Sequence, residues 1–166
     1  MNHTWFDLNF GPQYDRVSRP VLTRDTLNAD WILVEREMYD KNLKDMGLRI
    51  VARCEQYRLF QSGRRDLADS VCSQDSESMF HTPRVLSFDD SGKEVEILVV
   101  STSGDINTPF IILEADLGLS EPIQRERQIY RVFDIREGTR PRYYVIAGRL
   151  NEVLNRESLP TQYVAW

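Results

Sequence analysis

The sequence predicts an α/β domain in which helices come first and a mixed sheet follows. Apolar residues recur at helical spacing within residues 28–72, and short β-rich runs bounded by turn residues fill 84–148. The length of 166 residues suits one hydrophobic core, which would bury about 68–70% of the unfolded surface. A second independent domain is not expected, so 23–166 reads as one unit behind an N-terminal arm.

The arm, residues 1–22, mixes Trp5, Phe6, Phe10 and Tyr14 with Gly11, Pro12 and Pro20. It is too apolar for a disordered tail and too broken for a long helix, so an irregular segment anchored by its aromatics is expected. Those aromatics pack either on their own domain or on a partner. From about Asn28 the pattern turns helical, with Trp31, Val34 and Met38 at i, i+3 and i+7 and Glu35, Arg36, Asp40 and Lys41 for the wet face. Gly47 marks a break or a close helix contact. Ile50, Cys54, Tyr57 and Phe60 continue a second helical period towards a C-cap at Gly63, and Arg64 to Val71 reads as a short helix.

Residues 72–82 form a polar loop, and Pro83 restrains the entry to the next strand. The runs from Arg84 and from Glu94 flank an Asp89-Asp90-Ser91-Gly92 turn, a tight hairpin. Thr108 to Leu113 is a further strand, and 114–127 a turn or short helix over a sheet edge. Strands are expected at 128–135 and 142–147, then a short helical piece near 151–155. The terminal Tyr163-Val164-Ala165-Trp166 is apolar and should be tied down.

Composition narrows the function classes. With 41% hydrophobic and 28% charged residues and a formal net charge of -5, the chain reads as a soluble globular protein. Such an acidic chain binds nucleic acid poorly unless its arginines gather on one face. No apolar run approaches the roughly 20 residues of a membrane span, and no signal pattern opens the chain, so a cytoplasmic protein is expected. Cys54 and Cys72 lie far apart without a CxxC or a neighbouring His, which favours reduced structural thiols over a metal site. No cofactor is expected: Ser101-Thr102-Ser103 lacks the glycine setting of a nucleophile elbow, and Gly104 alone is no phosphate loop.

Ser87-Phe88, Gly92, Ser101-Thr102, Thr108-Pro109-Phe110 and Tyr130-Arg131-Val132-Phe133-Asp134 form an ordered series. Gly47, Glu55, Arg58-Leu59, Gly63-Arg64 and Asp66-Leu67-Ala68 extend it towards the N-terminus. Together they resemble the restriction-nuclease-like domain family named after the C-terminus of the plant protein NO VEIN. The resemblance covers most of the chain after about Met46. It implies a restriction-endonuclease-like α/β fold of the PD-(D/E)XK type, with a mixed central sheet flanked by helices.

The resemblance also implies a metal site that this chain has lost. The family's catalytic Asp falls on Arg84, its Glu on Leu98, its Lys on Val100 and a helix glutamate on Leu48. Nuclease chemistry needs carboxylates to hold a divalent ion and a Lys to orient the attacking water, and these side chains supply neither. Leu98 and Val100 would turn the cleft apolar, either extending the core or leaving a partner surface. A catalytically inactive, nuclease-like interaction or assembly subunit of a DNA-processing or defence-related system is therefore the leading expectation.

Two alternatives stand beside it. A non-cleaving nucleic-acid-binding module would use Arg58, Arg64, Arg65 and Arg84, against the plainer reading of surface salt bridges. A metal-dependent nuclease with relocated carboxylates would draw on Asp89, Asp90, Glu94, Glu96 or Asp116, against the plainer reading of a solvated hairpin end. His81 reads as a loop histidine, and Arg131 as a structural residue of its motif. A protein partner or a homodimer contact is expected through Trp5, Phe6 and Phe10 or through Tyr163 and Trp166.

Overall fold

Two aspartates start the helical half. In the computed structural model, which describes residues 14–27, 30–74, 81–118 and 125–154 and the strands at 156–159 and 162–165, helix α1 spans Trp31–Met38 and α2 spans Lys41–Gln61. The Asp30 side chain accepts from Leu33 N and that of Asp40 from Leu43 N, each at 3.0 Å, satisfying amides that a helix start leaves orphaned. Helix α2 runs straight through Gly47. A Cβ there would lie 1.8 Å from Ser101 Oγ, so this glycine marks a close contact and not a break. Gly63, at φ 80°, closes the helix as expected, and Arg64 N donates to Leu59 O at 2.9 Å. Helix α3, Arg65–Ala68, follows.

The main sheet has six strands: β1 Asp15–Arg16, β2 Cys72–Gln74, β3 Arg84–Phe88, β4 Glu94–Ser101, β6 Glu126–Phe133 and β7 Arg142–Ile146. Their order is β1-β7-β6-β4-β3-β2, with β4 parallel to β6, β1 parallel to β7 and the other pairs antiparallel. A second, antiparallel sheet joins β5 Phe110–Leu113, β9 Gln162–Ala165 and β8 Arg156–Leu159 in the order β5-β9-β8. Short helices α4, Glu114–Leu117, and α5, Leu150–Val153, complete the fold.

The apolar run in β4 follows from its position, since both faces are covered. Val95, Ile97 and Val99 pack under α2 against Val51, Cys54 and Leu59. Leu98 and Val100 point the other way, into a second core with Ile129, Phe133, Phe110 and Ile112. The two positions that the resemblance assigns to a cleft thus extend the core; Leu98 is wholly buried.

The predicted regions need four corrections. Strand β1 lies inside the expected arm and β2 inside the expected polar loop, both too short for an alternation signal. Strand β5 leaves the central sheet for the smaller one. The C-terminus is tied down as expected, but by a hairpin-like pair, β8 and β9, beyond the expected sheet region. Trp5, Phe6, Phe10 and Trp166 lie outside the described residues, as does the side chain of Tyr163, whose backbone faces Ile112 and Ser158 in β9.

Candidate functional site

Three of the four positions implied by the resemblance meet. Arg84 sits opposite Leu98 in the β3–β4 ladder, and Val100 follows on the same face. Leu48 does not join them, because it packs in the core under α2, on the other side of the sheet. Helix α2 covers the face of the sheet opposite Leu98 and Val100.

Arg84 occupies the centre of a charge cluster. Its Nη2 donates to Asp116 Oδ1 at 3.0 Å, and its Nη1 approaches Glu96 Oε1 at 2.8 Å. The second contact is charge on charge, poorly aligned for a hydrogen bond, and Glu96 Oε1 makes no hydrogen bond with good geometry. Arg127 Nε stands 3.5 Å from the same oxygen. Asp116, fully buried at the end of α4, also accepts from Thr82 N at 2.9 Å and faces His81 Nδ1 at 3.1 Å.

Glu96 and Asp116 were expected at a solvated hairpin end, and both are buried. Glu96 could have been placed from sequence, because strand alternation sets it on the inward face with Leu98 and Val100. Asp116 carried no such signal, being brought in by the chain crossing between the two sheets. Glu94 and Asp90 remain exposed. Among the described residues no group of three or more His, Cys, Asp or Glu is placed to hold a metal ion. The guanidinium of Arg84 bridges two carboxylates, the kind of charge neutralisation that a bound cation would otherwise supply. His81 hydrogen-bonds only Asp116 among the described residues, so no nucleophile partners it.

A second buried network lies under α2. Glu55, 2% exposed, accepts from Ser87 Oγ at 2.6 Å, from the Tyr130 hydroxyl and from Arg58 Nη2 at 2.8 Å. Arg58 also donates to Phe88 O and to Asp90 Oδ1, the latter at 3.1 Å. Burial and the Glu55 charge push the Tyr130 hydroxyl far above the usual tyrosine range, so it stays protonated and donates. Burial works against the charged form of Arg58, but the hydrogen bond and charge of Glu55 outweigh it and hold the guanidinium charged.

Arg131 anchors a third set of contacts. It is 2% exposed, its Nη2 donates to Thr108 O at 3.0 Å and to Pro109 O at 3.3 Å, and its guanidinium lies 5.3 Å from the Phe110 ring centroid. The structural role expected for it fits these contacts. A cleft opens beside it where β3 ends. Val99 N donates to Pro83 O at 2.9 Å, but Pro83 has no N–H to return the bond, so the β4 edge is left open there.

The arginines offered as nucleic-acid contacts all have partners in their own chain. Arg58 and Arg84 are held as described. Arg64 Nε is 3.6 Å from Asp66 Oδ1, and Arg65 lies 4.7 Å over the Phe60 ring. Each cation is matched by a neighbouring acid or ring. No protein-family model, curated protein or solved structure matches the chain.

Proposed function

We propose that this chain is a non-catalytic, nuclease-like domain that serves as an interaction or assembly subunit, in a system that processes DNA or defends against foreign DNA. One observation carries the reading: Arg84 stands between Glu96 and Asp116 while Leu98 and Val100 are sealed in the core. A fixed guanidinium there opposes a divalent cation by charge and by occupancy.

The pattern of matches supports the resemblance. Glu55, Arg58, Ser87 and Tyr130 meet in one network, and Arg131 meets Thr108-Pro109-Phe110 in another. The residues shared with the family are thus those that hold a scaffold, and the replaced ones are those that would hold a metal. The link to DNA processing rests on the family resemblance, since a fold hosts many functions.

Exposed apolar side chains are compatible with the interaction role: Ile32, on α1, is 81% exposed next to Trp31 in sequence, and Val21 is 95% exposed. Purified protein is expected to cut neither DNA nor RNA with Mg²⁺ or Mn²⁺. Metal-dependent cleavage abolished by changing Asp89, Asp90 or Glu96 would reverse this assignment in favour of relocated catalysis.

The non-cleaving nucleic-acid module is the alternative. The intrachain pairing of Arg58 and Arg84 counts against it, because a paired cation releases fewer counterions from DNA. Little binding to duplex DNA is expected at physiological salt. Sub-micromolar, strongly salt-dependent binding that disappears in Arg58→Glu or Arg84→Glu would make this reading the better one.

A further inference from the structure

We propose that the exposed ridge of helix α2 is a docking surface for an acidic helix of a partner protein, with Arg49 and Arg53 as its charged contacts. At 3.6 residues per turn, Met46, Arg49, Arg53, Tyr57 and Phe60 fall within one stripe of the helix roughly 80° wide. Met46, Arg49 and Arg53 are exposed, and Tyr57 and Phe60 are half-buried. No acid shares the stripe. Of the carboxylates on α2, Asp45 pairs with Lys41 at 3.3 Å, and Glu55 is buried in the network beneath the helix.

The two arginines stand apart from those already described. Arg58, Arg64 and Arg84 are each held by an acid of their own chain, whereas neither Arg49 nor Arg53 forms a side-chain ion pair or hydrogen bond with a described residue. They lie one helical turn apart, where like charges repel, so the pair disfavours the helix that carries it. Past the end of α2, Arg65 continues the ridge over the Phe60 ring, and it too pairs with no described acid. A basic, acid-free face is unexpected on a chain of net charge -5. Its make-up of arginine, methionine and aromatics without Asp or Glu is that of interface cores and hot spots.

Spacing and charge select the occupant. Arg49 and Arg53 are separated by about 6 Å along the axis, the same rise that separates carboxylates at i and i+4 of a second helix. A helix packed along α2 would set those carboxylates on the guanidiniums and its apolar side chains on Met46 and Tyr57. Nucleic acid suits the ridge less well, because its affinity grows with the number of phosphates neutralised and this face offers few cations. The proposal rests on the interaction reading and names the surface and the class of partner.

The test is titration of the full chain, followed by heteronuclear NMR, with a synthetic helical peptide of about five turns that carries glutamates at i and i+4 beside a leucine stripe. The same peptide with glutamine for glutamate and a duplex oligonucleotide are the parallel arms. Saturable shifts at Met46, Arg49, Arg53 and Tyr57 are expected, weakened by salt and by about tenfold or more when Arg49→Glu and Arg53→Glu are combined. A peptide with lysine for glutamate should restore binding to that double variant. Arg49→Gln and Arg53→Gln should keep the melting temperature or raise it, since they relieve the repulsion. No saturable shift, shifts on another face, equal affinity for the glutamine peptide, a fall in melting temperature in the glutamine variants, or tighter binding of the duplex would each overturn the assignment. Metal-dependent cleavage with peptide binding intact would remove the non-catalytic reading alone, and a failed titration without cleavage would remove the ridge alone.

Discussion

Gly47 sits in mid-helix, where alanine would ordinarily be the better residue by about 0.8–1.0 kcal/mol. Here the added Cβ would meet Ser101 Oγ at 1.8 Å, with Ser101 Cβ at 3.1 Å and Val99 Cγ1 at 3.3 Å. Overpacking should win, so Gly47→Ala is expected to destabilise by about 1–3 kcal/mol in urea denaturation. Adding Ser101→Ala removes the closest clash and should recover part of that loss, which a double-mutant cycle reads directly. Cys54 and Cys72 differ in the same local way. Burial pushes the Cys54 thiol from 9.0 up to about 12, whereas Cys72 is exposed. Iodoacetamide should label Cys72 in the folded protein and spare Cys54. The folded state favours the protonated Cys54 thiol, so its contribution is complete below pH 9.0 and is lost as pH rises towards about 12. Tyr130 and Tyr143, both raised chiefly by burial, act with the same sign above the usual tyrosine range. A fall in melting temperature on the alkaline side checks this.

Strand β4 connects the two cores, and β3 brings Arg84 beside it. Removing that guanidinium leaves Glu96 and Asp116 buried without their shared cation. Breaking one side of a buried pair costs roughly 3–5 kcal/mol, and Arg84 should fall at the lower end because its side chain is 29% exposed. Arg84→Gln is therefore expected to lower the urea midpoint strongly, and Arg84→Lys less, since lysine keeps the charge but cannot span both acids as a planar fork. No loss in Arg84→Lys would mean that the fork geometry contributes nothing, and a loss equal to that of Arg84→Gln would mean that charge alone recovers nothing.

At the scale of the molecule, the second sheet covers one face of the first. Strand β9 is its centre, paired with β5 on one side and β8 on the other, and Ala165 is fully buried. Ending the chain at 161 should expose the apolar face formed by Phe110 and Ile112 and cause a large loss of thermal stability. Removal of residues 1–12 tests the interaction surface instead. If the arm joins a partner or a second copy, mass in solution or partner recovery should change with little loss of melting temperature. A monomer before and after, with a large drop in stability, would leave the arm as a cap on its own core.

Periodicity made much of this chain legible. The helical repeat through α2, the Asp89–Gly92 turn and the apolar runs at β3, β4 and β6 are short-range signals, set by which residues suit a local backbone. Arg84, Leu98 and Val100 were brought together by the family resemblance, and the β3–β4 register does set Arg84 opposite Leu98. Glycine at 47 signalled a break or a close contact, and nothing local showed that Ser101 was on the other side. The partners of Arg84 were beyond sequence for the same reason: Asp116 lies 32 residues away and reaches it only because the chain crosses between sheets. Which sheet β5 joins and which face of the sheet Leu48 covers were likewise decided by tertiary packing. Those features depend on long-range register and burial, and a buried charge declares its chemistry only when the groups surrounding it are known.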